Sequence, residues 1–242
     1  MSYIFREHIK QSLAVIAFLL TLTACTSESY DAGDGPNSYL TADLVLLHTS
    51  QDKSVRSALL DDGTTLQFSN PFAQDWLTRP DSVYRALLYY DKTVAASDAA
   101  ASNPTATSIV RARSVRPVSV LRPVEAEDME TLRTDPVGFE SLWLSKNKSY
   151  INLSLLLKSG KTEADDALHA LGIVSHGTTT DADRRRTLHL TLYHDQGGVP
   201  AYYTVQQYVS IPTQLLEKAD TVELTLNTYN GKKVVKVAVS NL

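Results

Sequence analysis

From about residue 39 onward the chain is written in a two-residue rhythm, and that rhythm admits little besides β-sheet. Residues 39–49 alternate and are rich in Leu and Val. Residues 55–60 lead into Asp61-Asp62-Gly63-Thr64, where Asp-Gly tolerates the positive φ of a two-residue hairpin turn, and 65–68 return. Asn70-Pro71 reads as a break in the ladder, and 72–77 as a short helical cap. Residues 83–90 form a fourth run, in which Val83, Arg85, Leu87 and Tyr89 alternate with Tyr84, Ala86, Leu88 and Tyr90. The Ala/Ser/Asp/Asn-rich stretch 91–107 predicts a long loop, and 109–115 a fifth strand. Five short strands with a cap after the third match a small OB-type barrel over residues 38–122.

Pro117, Pro123 and the acidic stretch 125–130 predict a boundary, with a linker over 123–136. The linker has room for a short helix at about 125–132, ended by Asp135-Pro136. Strand patterns then resume at 138–145, 149–157, 168–174, 187–193, 202–211, 222–229 and 232–239. Asn230-Gly231 between the last two is a strong hairpin signal. Leu188, Leu190 and Leu192, with Val234, Val237 and Val239, are the expected core. Lys232, Lys233 and Lys236 would guard an edge strand against unwanted pairing. Seven strands over 137–242 suit a β-sandwich. The fold class expected is therefore all-β: an OB-type barrel followed by a sandwich.

The N-terminus carries an address. Arg6 to Lys10 is a charged region, and Leu13 to Leu22 an apolar stretch with the length of a signal-peptide core. It falls short of the roughly 20 apolar residues a membrane span needs. Leu22-Thr23-Ala24-Cys25 follows, and Cys25 is the only cysteine of the chain. The segment resembles a bacterial lipobox. That resemblance implies removal of residues 1–24 and attachment of lipid to Cys25 as the first residue of the mature protein. A free thiol left behind an ordinary signal peptide is the alternative. Two or more acyl chains anchor stably where one is marginal. Residues 25–37, rich in Ser, Asp and Gly, read as a flexible tether. Residue 26 is Thr rather than Asp, which by resemblance to other Gram-negative lipoproteins implies the outer membrane over inner-membrane retention, with the leaflet unspecified.

Candidate chemistry is sparse. The net charge of −4 argues against non-specific nucleic-acid binding. Arg111, Arg113 and Arg116 could mark a single-strand groove, but Arg111 and Arg113 read more simply as the solvent face of a strand. His169, His176, His189 and His194 fall in the second half. His189 and His194, five apart on one strand, point to opposite faces, which suits no shared metal. Ser175-His176 lacks a nucleophile elbow, and no phosphate-binding glycine loop is present. No catalytic residue, cofactor or metal site is therefore assigned. Tyr202, Tyr203 and Tyr208 could stack on sugars or anchor a protein partner, or pack as ordinary strand residues. Asp81-Ser82-Val83 and Asp220-Thr221-Val222 resemble an O-glycosylation triplet, or plain strand entries.

From Cys25 to its end the chain resembles the NigD-like lipoproteins. The resemblance is carried by the lipobox and by Leu60-Asp61-Asp62-Gly63-Thr64-Thr65-Leu66 in the first half. Asp135-Pro136-Val137 ahead of Trp143, Ser149-Tyr150-Ile151-Asn152-Leu153 and Leu192-Tyr193-His194-Asp195 carry it in the second. It implies an N-terminal OB-type domain, a C-terminal β-sandwich and a role beside a bacteriocin. The function expected is a non-enzymatic envelope lipoprotein that binds a protein partner at the membrane surface, with immunity against a bacteriocin-like toxin as its most specific form. A glycan-binding or glycan-processing accessory is the alternative. Loops 91–107 and 175–186 look like local embellishments.

Overall fold

The computed structural model describes residues 40–92, 108–161, 168–216 and 218–239. Cys25, the signal, the tether and most of the loop at 91–107 lie outside them. The described residues form one compact unit, built of a closed barrel and a two-sheet sandwich.

The barrel consists of β1 (Leu40–Thr49), β2 (Val55–Leu60), β3 (Thr65–Phe72), β4 (Val83–Lys92) and β5 (Ser108–Pro117). It closes in the order β1-β2-β3-β5-β4, with β4 returning to β1. Alternation fills it: Val45, Leu47, Ala58, Leu66, Phe68, Ala86, Leu88 and Val110 point inward. Arg111 and Arg113 face solvent beside buried Val110, as expected.

Three local expectations change. The β2–β3 turn is not a two-residue reversal. Gly63 alone takes positive φ (91°), and its amide donates to the Leu60 carbonyl while the Leu60 amide donates to that of Thr64. Gly63 thus closes a three-residue loop in the bulge position, where a Cβ would be strained. Asn70-Pro71 does not end the ladder, and β3 runs on to Phe72. The Asn70 amide group exchanges two 3.0 Å hydrogen bonds with the Ala112 backbone, extending the β3–β5 pairing with a side chain. The helical cap is a single turn, closed by the Leu77 amide on the Gln74 carbonyl. It still plugs the barrel, because Leu77 is buried in its core and Trp76 packs edge-on against Tyr84.

The sandwich has nine strands. The seven expected are β8 (Gly138–Leu144), β9 (Tyr150–Ser159), β10 (Ala170–Thr180), β11 (Arg186–Asp195), β12 (Tyr203–Pro212), β13 (Thr221–Thr228) and β14 (Gly231–Ala238). Two short ones precede them, β6 (Ser119–Val120) and β7 (Pro123–Glu125). One sheet runs β14-β13-β11-β10-β7 and the other β6-β12-β9-β8. The stretch read as a linker thus supplies β7 to one sheet, and the helix expected at 125–132 is one 3₁₀ turn, Ala126–Asp128. β10 extends through Thr180, so the loop read at 175–186 shrinks to a hairpin in which the Asp181 carboxylate accepts the amides of Asp183 and Arg185. Ile151, Leu153, Leu155, Leu188, Leu190 and Leu192 form the core with Val222 and Leu224. The inward residues are Val235 and Val237 on β14 and Val239 just after it, whereas Val234 is exposed, since a period of two forbids 234 and 237 from sharing a face. β14 is an edge strand, and Lys236 pairs there with Glu223 at 2.9 Å.

Candidate functional site

β9 is buried on both faces, although Asn152 and Ser154 alternate with leucines as on a half-solvated strand. The barrel covers the polar face. There Arg85, the one charge within an otherwise apolar stretch of β4, leaves the barrel wall and enters the sandwich sheet. Its side chain is 1% exposed. The guanidinium donates to both Asp61 carboxylate oxygens (2.6 and 2.7 Å), to Asn152 Oδ1 (3.0 Å) and to Ser210 Oγ (3.1 Å). It also lies 4.3 Å from the Tyr150 ring centroid. Asn152 Nδ2 donates to Asp61, and Ser210 Oγ donates to Asn152. Every member therefore has a partner, which a buried charge requires. Asp61, Tyr150 and Asn152 all belong to the motifs quoted above, so those motifs form a joint.

Beside this joint, barrel and sandwich enclose a cleft of about 430 Å³. Its aromatic lining is Tyr89, Trp143 and Tyr208, with Trp143 edge-on to Tyr208 at 6.4 Å. Asp43, Asp62 and Glu140 line it with carboxylates, and Lys146 adds an ammonium. Glu140 accepts hydrogen bonds from Ser154 Oγ (2.6 Å) and Gln206 Nε2 (2.5 Å), which hold its carboxyl below the usual range. Partial burial pushes Asp62 up, but hydrogen bonds from Thr64 and the charge of Lys146 more than offset this, leaving it low as well. Both are anions at neutral pH. Asp43 accepts the buried Tyr90 hydroxyl at 2.8 Å; desolvation, then Asp43 itself, push that phenol up.

The histidines do not converge. His176 pairs with Thr191, and His189 with Thr179 and Glu223. His194, on the opposite face of β11, is 1% exposed and stacks on His169 with their nitrogens 2.9 Å apart. No group of three or more metal-ligating side chains occurs among the described residues. Ser175 is buried and accepts the Gly177 amide, so it does not pair with its neighbour His176. Tyr202 and Tyr203 are exposed at 78% and 50%, whereas Tyr208 is half-buried at the cleft. Ser82 lies half-buried just before β4, beside exposed Val83, while Thr221 is strand-paired on both sides. The joint and the cleft were missed from sequence. The available signal was Arg85, since a charge in an apolar strand must find partners.

Residues 120–239 match the NigD-like C-terminal beta sandwich domain family. That stretch is a NigD-like C-terminal β-sandwich domain, as the motifs of the second half led one to expect. A NigD-like immunity protein from Bacteroides caccae shares the fold, at 21% identity and a TM-score of 0.58, over 81% of this chain and 91% of that one. A protein from Parabacteroides distasonis described as toxin-related does so at 20% and 0.55, over 82% and 92%. A protein from Bacteroides fragilis described as a lipoprotein does so at 14% and 0.56, over 83% and 98%. No curated protein matches the chain. None of these three relatives is described as an enzyme, and no helix among the described residues is long and apolar enough to cross a membrane.

Proposed function

We propose that the protein is a non-enzymatic lipoprotein, anchored through Cys25 to the outer membrane, that binds a protein partner at the membrane surface. Immunity against a bacteriocin-like toxin is its specific form. The observation that carries this reading is the extent of the likeness to the Bacteroides caccae immunity protein. At 81% of this chain it takes in more than the sandwich. Fold alone does not dictate function, so the assignment rests on analogy. A rigid joint beside an open cleft suits recognition, because a preformed surface loses little freedom on binding. Two experiments test the reading. Cys25→Ala should move the protein from the membrane to the soluble fraction; a mutant that stays membrane-bound and processed like wild type removes the anchor. Expression of the anchored chain in a strain killed by the native host's culture supernatant should restore growth; no protection removes the immunity role.

The exposure of Tyr202 and Tyr203 favours a second reading, a glycan-binding or glycan-processing accessory. Glycan-array binding that is lost on mutating both tyrosines, with no protein partner recovered, would replace the first reading with this one.

A further inference from the structure

The cleft between barrel and sandwich combines three features that together specify a ligand chemistry. It is a concave space of about 430 Å³, within the size range of recognition pockets. Aromatic side chains from both parts reach it: Tyr89 from β4, Trp143 from β8 and Tyr208 from β12. Its remaining lining is electronegative. Asp43, Asp62 and Glu140 face one ammonium, Lys146, because the neighbouring Arg85 is consumed by Asp61. Glu140 is fixed in place by Ser154 and Gln206, so its charge is oriented before anything binds. Aromatic rings beside preset carboxylates attract a cation that must shed water, through ring quadrupole and charge together. A neutral sugar would use the rings and leave the surplus negative charge unanswered.

We propose that this cleft is where the protein partner docks, and that it receives an arginine or lysine side chain from that partner's surface. The inference rests on the protein-partner reading above and gives that partner a chemistry: a basic segment. The joint supports it mechanically. Arg85 ties the two walls, so the cleft keeps its shape when empty. The exposed tyrosines at 202 and 203 are not part of it, which separates this site from the glycan reading.

The test uses the mature chain made without lipid, as Cys25→Ser, with Trp76→Phe so that Trp143 is the only tryptophan left. The probes are acetylated, amidated Gly-Arg-Gly, the same peptide with lysine, and the same with citrulline, the neutral shape-match of arginine. A neutral oligosaccharide, maltohexaose, is the fourth. The expected result is a saturable change in Trp143 fluorescence with the arginine and lysine peptides and none with the other two. Affinity should fall about tenfold in Glu140→Gln, rise in Lys146→Glu, and weaken with salt as counter-ions screen the site. Glu140 and Lys146 are exposed, so both variants should keep the wild-type melting temperature. An equal response to citrulline, indifference to Glu140→Gln, or a response to maltohexaose alone overturns the proposal. If these peptides fail while the anchored chain still protects a sensitive strain, the cleft is wrong and the immunity reading stands. If the peptides bind as expected and no protection is seen, the basic-segment site stands and the immunity role falls.

Discussion

Arg85 and His194 are both buried polar side chains, and both tie segments distant in sequence, yet their surroundings differ in kind. Arg85 makes four hydrogen bonds to Asp61, Asn152 and Ser210, plus a ring contact with Tyr150. His194 is held between an acceptor and a second histidine. Its Nδ1 lies 2.9 Å from the Asp135 carbonyl, which can only accept, so that nitrogen carries the proton. Its Nε2 then accepts from His169 Nδ1, and His169 Nε2 is left buried without a partner. The first cluster is saturated and joins barrel to sandwich. The second is one donor short and pins the 133–137 segment to β11, where the backbones of Arg133, Asp135 and His194 also exchange hydrogen bonds. A saturated cluster should resist pH and fail by mutation; an unsaturated one should fail by protonation.

The largest loss of stability is expected from Arg85→Met. It strands the Asp61 carboxylate and the Asn152 amide beneath the barrel. Removing one partner of a buried pair costs about 3–5 kcal/mol. Urea denaturation should show the midpoint falling by that equivalent. Asp61→Leu added to Arg85→Met should recover most of the loss, because apolar replacement of a whole buried pair is often neutral. A loss below about 1 kcal/mol in the single variant would mean that water reaches the joint.

His194→Leu should cost less. It removes one neutral hydrogen-bond relay and leaves the Asp135 carbonyl and His169 short of partners, a penalty of about 1–3 kcal/mol on the same denaturation curve. The third substitution is a surface control. Arg113 forms an ion pair with Asp91 that is short but open to solvent on the arginine side. Arg113→Ala should shift the midpoint by less than either buried variant, because screening and side-chain entropy consume most of an exposed pair's worth. If Arg113→Ala matched His194→Leu, burial would not be what separates the clusters.

Much of the architecture was legible because alternation survives wherever one face is wet. All five barrel strands and the seven long strands of the nine-stranded sandwich announce themselves this way. What the sequence hides is which second face is also covered. Asn152 and Ser154 look solvated and are buried, since the barrel that covers them comes from residues some 60 to 110 positions earlier. The hairpin dipeptides marked the right places but the wrong geometry. In Asn230-Gly231, as at Asp62-Gly63, only the glycine takes positive φ (102°), and the reversal passes through Tyr229 and Asn230. β6 and β7 were invisible because two- and three-residue strands have no period. The motifs of the family resemblance proved to be meeting points: Asp61 with Asn152, and Asp135 with His194. Each half of such a contact is unremarkable alone, so only a structure joins them.

The smallest expected effect is the one that titrates. Burial first, and the neighbouring His194 second, push His169 below the ordinary histidine value of 6.5; the nearby Lys158 backbone opposes them only in part. A histidine depressed in the folded state takes up protons more readily unfolded. Its contribution to stability is therefore complete above about pH 6.5 and is lost as pH falls through the folded-state value. Stability measured by urea between pH 7.5 and 5 should decline towards acid. His169→Gln, which cannot charge, should flatten that decline while Arg85→Met leaves it in place. The carboxylates of the cleft cannot imitate this signal. Glu140 and Asp62 sit below their usual range, so they change stability only at more acid pH. A slope that persists unchanged in His169→Gln would move the titration to another group and erase the distinction between a saturated and an unsaturated joint.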